Sequence, residues 1–123
     1  AGGVDLDALA VVRAPEIGRA ATHLARSGAF GLLVIDVAGG DVPVPLQSRL
    51  LGLAQKHRVA VVFLTRKAQD APSLGSLVSL RGHAARRRAA PDRFLCELRV
   101  LKDKRRAPDW RYAEVCRGPD GLH

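Results

Sequence analysis

Two stretches of the chain alternate between helical and strand-like hydrophobic spacing, and a third is strand-like almost throughout. Residues 8–13, ALAVVR, read as a short strand, and Pro15 suits the first turn of a helix, where its missing N–H costs nothing. Ile17, Ala20, Ala21, Leu24 and Ala25 then recur at helical spacing and make one apolar face. Ser27-Gly28 closes that helix, because Gly28 can take the left-handed cap conformation. Residues 30–37, FGLLVIDV, form a continuous apolar run that predicts a parallel strand buried on both faces. Residues 38–45 are rich in turn formers. Leu46, Leu50, Leu53 and Ala54 predict a second amphipathic helix running to about His57, and residues 59–65, VAVVFLT, a second buried strand. Strands alternating with helices are the signature of an α/β sheet with parallel strands.

The pattern changes after residue 65. Residues 66–73 read as a polar loop and 74–79 as a short helix. Three strand-like segments follow, at about 79–89, 93–103 and 111–117, separated by Ala-Pro-Asp breaks at 90–92 and 107–109. The middle segment places Phe94, Cys96, Leu98 and Val100 on one face and Leu95, Glu97, Arg99 and Leu101 on the other. These segments predict an antiparallel meander added to the edge of the parallel part. The whole, residues 1–123, is expected to be a single α/β domain with helices flanking a mostly parallel sheet.

Composition sharpens this picture. Hydrophobic residues make up 47% of the 123, enough for a core, and no run approaches the ~18 apolar residues of a membrane span. The formal net charge is +8, unevenly spread. Residues 1–80 hold eight Lys and Arg against six Asp and Glu, whereas residues 81–123 hold twelve against six. That asymmetry points to a polyanion near the C-terminal half, with nucleic acid the first candidate, and a solvated Arg-rich surface is the competing reading, because aromatic platforms for bases are scarce. Trp110 and Tyr112 are the aromatic candidates beyond three Phe. Cys96 and Cys116 lack ligand spacing and read as reduced, buried thiols of a cytoplasmic protein, with a disulfide as the alternative. His23, His57 and His83 show no metal-ligand spacing, so no metal or cofactor is expected.

Candidate chemistry sits at strand ends. Asp36 ends an apolar strand, where an acid either holds Mg²⁺ beside a nucleotide or caps the following turn. A working nucleotide site also needs G-x-x-x-x-G-K-[ST] to cradle phosphates, and the chain has no such segment. Lys102 and Lys104, in the cluster Lys102-Asp103-Lys104-Arg105-Arg106, point the same way by strand alternation and can meet one phosphate group; a charged strand edge is the competing reading. Arg86-Arg87-Arg88 sits on a predicted edge strand and can contact DNA backbone or an acidic partner, or simply protect the edge. Arg66 and Lys67 lie in a loop at the carboxyl end of a strand, the usual binding face of such sheets.

The order of these segments resembles the RecA-like superfamily. PEIGRAATHLARSGAFGLLVID is similar to the helix leading into that family's Walker B strand, and VAVVFLTRKAQ to the next strand and the start of its second DNA-binding loop. LGSLVSLRGHAARRR and LRVLKDKRRAPDWRYAEVCRGPDGL are similar to the segments that complete the core, and taken together they resemble most the ImuA family of bacterial damage-mutagenesis cassettes. The resemblance spans about residues 6–122. It implies a partial RecA-like core whose P-loop and catalytic Glu would precede Ala1. It also implies a non-catalytic accessory role in SOS-associated translesion synthesis, in the bacterial cytoplasm near the nucleoid. Implied partners are an ImuB-like polymerase relative, RecA and an error-prone polymerase.

By the same resemblance Asp36 matches the Walker B aspartate, and Lys102 and Lys104 a lysine pair that reaches nucleotide held by a neighbouring subunit. Arg66 falls where RecA has a Gln that senses the terminal phosphate, a role Arg cannot reproduce. The loop 38–45 is much shorter than RecA's first DNA-binding loop. Without the phosphate-loop strand the sheet has unpaired inner edges, so either its halves close on each other or another chain, for example a second copy, fills the gap. The rival readings are a truncated ATPase fragment of a recombinase and a basic module for single-stranded DNA.

Overall fold

A computed structural model describes residues 4–118. Contacts divide these into two compact units, residues 12–78 and residues 79–118 together with 4–11, and each is described by itself. The fold is mixed α/β, with two helices and two sheets, one parallel and one antiparallel.

In the first unit, α1 (Ile17–Ser27) leads to β1 (Leu32–Ala38), then α2 (Val44–His57) crosses to β2 (Ala60–Thr65). β1 and β2 pair in parallel from Leu32↔Ala60 to Ala38↔Thr65, with an irregularity between Asp36 and Ala38. α1 ends at Gly28, whose φ of 68° lets its N–H reach the Ala25 carbonyl, as the Ser-Gly signal predicts. Pro15 lies outside this helix, just before the capping position at Glu16. α2 takes a proline in its first turn and ends at Arg58 in the left-handed region.

Both helices pack on one face of the parallel pair. Ala21 and Ala25 of α1, Leu50 of α2, Leu33 and Ile35 of β1, and Val59 form its buried core. The expectation of strands buried on both faces fails. The alternate residues Leu32, Val34, Val62 and Leu64 are 55, 55, 42 and 50% exposed. A strand has two faces, and the helices of this unit cover only one.

Two further expectations are corrected. Residues 8–13 are not a strand: a single 3₁₀ turn occupies Leu6–Ala8, and the residues after it pair with no sheet. Val11 and Val12 supply β propensity, but propensity without a neighbouring strand leaves the ladder hydrogen bonds unmade. Residues 74–79 form no helix but a turn, closed by the Val78 N–H on the Gly75 carbonyl. Gly75 and Ser76 favour that turn over a helix. Buried Gln47 of α2 anchors the segment, donating from Nε2 to the carbonyls of Val42 (2.8 Å) and Leu74 (3.0 Å). A Cβ at position 75 would lie 2.9 Å from the Gln47 Oε1, so a side chain there would displace the Gln47 amide.

The second unit is the predicted meander. β3 (Leu80–Ala90), β4 (Arg93–Asp103) and β5 (Arg111–Arg117) make an antiparallel sheet in the order β3-β4-β5. It is a sheet of its own and does not extend the β1-β2 pair as expected. β4 is central, and its Val100 is fully buried. The Asp109 N–H donates to the Val100 carbonyl (2.8 Å) and the Val100 N–H to the Trp110 carbonyl (2.9 Å), closing the β4–β5 connection. No helix among the described residues is long and apolar enough to cross a membrane.

Candidate functional site

The carboxyl ends of β1 and β2 bring together three of the residues singled out from the sequence. Asp36 is exposed on the face opposite the helices, and its Oδ1 accepts the Ala38 N–H at 2.9 Å. That bond caps the turn, which carries Ala38 into the left-handed region at φ 49°. Arg66 follows β2, is exposed, and donates its backbone N–H to the Ala38 carbonyl at 3.1 Å. Lys67 pairs with Asp41 at 3.5 Å. Asp41, which the sequence reading passed over, thus ties the loop after β1 to the loop after β2. A cavity of about 410 Å³ opens between this edge and the helices. Its walls, among them Ile17, Gly18, Val42, Leu46 and Phe63, are mostly apolar, with Asp41 the one charged residue of the lining.

The other candidates lie on the meander. β3 is an edge strand, as predicted, and register splits its arginine run. Arg86 and Arg88 stand opposite Cys96 and Phe94 on one face, and Arg87 stands opposite Leu95 on the other. The Arg86 and Arg88 guanidinium carbons sit 4.8 and 5.7 Å from the centre of the Phe94 ring. Lys102 is in β4 opposite Arg81, while Lys104 lies beyond the last residue of that strand. The register slips by one residue at Leu101, before Lys102, and beyond the strand end the Lys104 N–H donates to the Ser79 carbonyl at 3.0 Å.

Arg105 and Arg106 are exposed, but their backbone N–H groups are engaged. Both donate to Asp103 Oδ1, at 2.8 and 3.1 Å, and the Trp110 indole N–H donates to Oδ2 at 3.1 Å. Asp103 therefore organises the loop that presents these arginines, a role its place inside a basic run conceals. The Arg105 N–H, then the Trp110 indole, hold the Asp103 carboxyl below the usual carboxylate range. A depressed carboxyl contributes stability above its ordinary pKa that is lost as pH falls through the lowered value. Emission from Trp110, the sole tryptophan, is expected to stay native through the ordinary carboxylate range and change only below it. Asp103→Asn should abolish that acid step; a step that persists in the variant belongs to another group.

Cys96 and Cys116 are free and half-buried on neighbouring strands. The hydrogen bond that the Cys116 thiol donates to Cys96, with burial second, pushes Cys116 up from its ordinary pKa, which keeps it protonated at neutral pH. Ion pairs lace the meander, among them Arg99–Asp109 at 3.2 Å, Arg111–Glu97 at 3.6 Å and Arg117–Asp92 at 3.8 Å. Among the described residues no cluster of three or more His, Cys, Asp or Glu is placed to hold a metal. No protein-family model matches the chain, and no curated protein matches it in sequence.

Proposed function

We propose that the chain is a non-catalytic RecA-like accessory module of the ImuA type, which docks polymerase components of a damage-mutagenesis assembly or a RecA filament. The observation that carries this reading is the bare apolar face of the parallel pair, where Leu32, Val34, Val62 and Leu64 stand in the open. Parallel strands are ordinarily covered on both faces, and a contiguous exposed apolar patch is the mark of a surface that another polypeptide covers. What supports the adaptor reading over an ATPase fragment is that Asp36 spends an oxygen on capping its own turn.

The test is capture of purified ImuB-like polymerase relative, RecA and error-prone polymerase by the immobilised chain, without DNA and at moderate salt. Capture of at least one that survives salt is expected, because apolar contacts are not screened. Binding that needs DNA, or that vanishes as salt rises, would replace the adaptor with a simple polyanion-binding module.

A further inference from the structure

The meander carries a second feature, independent of the bare face of the parallel pair. Register places Arg86, Arg88, Phe94, Cys96, Leu98, Tyr112 and Glu114 on one face of the three-stranded sheet. We propose that this face binds single-stranded nucleic acid, with a base stacking on Tyr112 and the backbone phosphates held by Arg86 and Arg88. This goes beyond the adaptor reading and does not depend on it.

Each part of such a site is present. Tyr112 is 57% exposed, and its hydroxyl donates to Glu114 Oε2 at 3.1 Å, two residues along the same strand. The ring itself is left open to a stacking partner. Between Tyr112 and the edge strand lies a shallow depression of about 310 Å³, with Ala84, Cys96 and Leu98 in its floor. A flat aromatic beside an apolar floor accepts an unpaired base. On the β3 side, Phe94 takes the guanidinium groups of Arg86 and Arg88 over its ring. A stacked guanidinium is held in place while its N–H edge remains available to phosphate oxygens. Among the described residues, none of Arg86, Arg87 and Arg88 is in an ion pair, whereas Arg99, Arg111 and Arg117 are.

The charge fits the ligand. Residues 79–118 hold twelve Lys and Arg against five Asp and Glu. Charge alone would suit duplex, single strand or acidic protein equally. The aromatic platform decides for unpaired bases, because a duplex keeps its base faces stacked inside.

The test is the affinity of the intact chain for fluorescein-labelled oligothymidylate across a salt series. Tyr112→Ala is expected to weaken binding about tenfold without changing the salt slope, and Tyr112→Phe to restore it. Arg86→Ala with Arg88→Ala should lower the slope by about 1.4, at roughly 0.7 per phosphate contact on a single strand. Arg87→Ala, on the opposite face, should change little. Ultraviolet cross-linking of the unaltered chain should place the adduct in the β5 peptide, a readout that does not depend on any variant folding. The proposal is overturned if Tyr112→Ala binds like the parent, if duplex or polyglutamate binds as tightly, or if Arg87→Ala costs as much as Arg86→Ala.

Discussion

Leu50→Ala is expected to destabilise the α/β unit by about 2–5 kcal/mol, the range for emptying a buried leucine site. Leu50 is 2% exposed and sits where α2 meets the core formed by Ala21, Ala25, Leu33 and Ile35. The neighbours that would have to close the cavity are two alanines and two strand residues tied by the parallel ladder, so collapse around the lost methyls is limited. Against a typical total of about 5–15 kcal/mol, the loss leaves a sizeable fraction of the unit open. Urea melts followed by the helical circular dichroism signal measure it, since both α-helices belong to this unit. A loss under about 1 kcal/mol would mean that Leu50 is not the keystone its burial implies.

Val100→Asp should do more damage still, in the other unit. Val100 has no exposed surface, lies on the central strand, and its backbone closes the β4–β5 connection. Position 100 is sealed from solvent, so the introduced group must ionise at a desolvation cost or stay protonated. An expected loss above about 4 kcal/mol places the change among the severe mechanisms. The introduced acid's folded pKa would be raised, so the folded state holds more protons and stability falls further as pH rises through the ordinary carboxylate range and above it. Trp110 lies next to the closure and reports the opening by its emission. Native emission at neutral pH would show that position 100 reaches water.

Periodicity made most of the elements legible. The spacing of Ile17, Ala20, Ala21, Leu24 and Ala25 gives α1, with Gly28 as its stop, and the alternation from Phe94 to Val100 gives β4 with the correct faces. Where the reading failed, a non-local condition decided the outcome. The run LLVIDV cannot say how many of its faces will be covered, because that depends on what else packs there. Val11 and Val12 have strand propensity but no partner strand. Around Gly75, turn chemistry and the Gln47 side chain outweigh a weak helical pattern.

The candidate site was legible in residue type more than in arrangement. Arg86-Arg87-Arg88 reads as one basic block, yet the two-residue repeat of a strand divides it between two faces, and only Arg86 and Arg88 meet Phe94. Asp36 was identified with two possible roles, and its hydrogen bond to Ala38 matches the turn-capping one. Asp103 was invisible because its partners come from main-chain geometry and from Trp110, seven residues on.

The bare face of the parallel pair bears the whole adaptor reading, and one substitution addresses it. Val34 is 55% exposed and stands opposite Val62 in register, so Val34→Asp charges the middle of the patch while leaving the helix-covered side untouched. The measurement is titration of the ImuB-like partner against the immobilised chain and this variant, with circular dichroism to show that both are folded. The adaptor account predicts saturable binding by the parent and a loss of at least about tenfold in the variant. Equal binding by the two would contradict it.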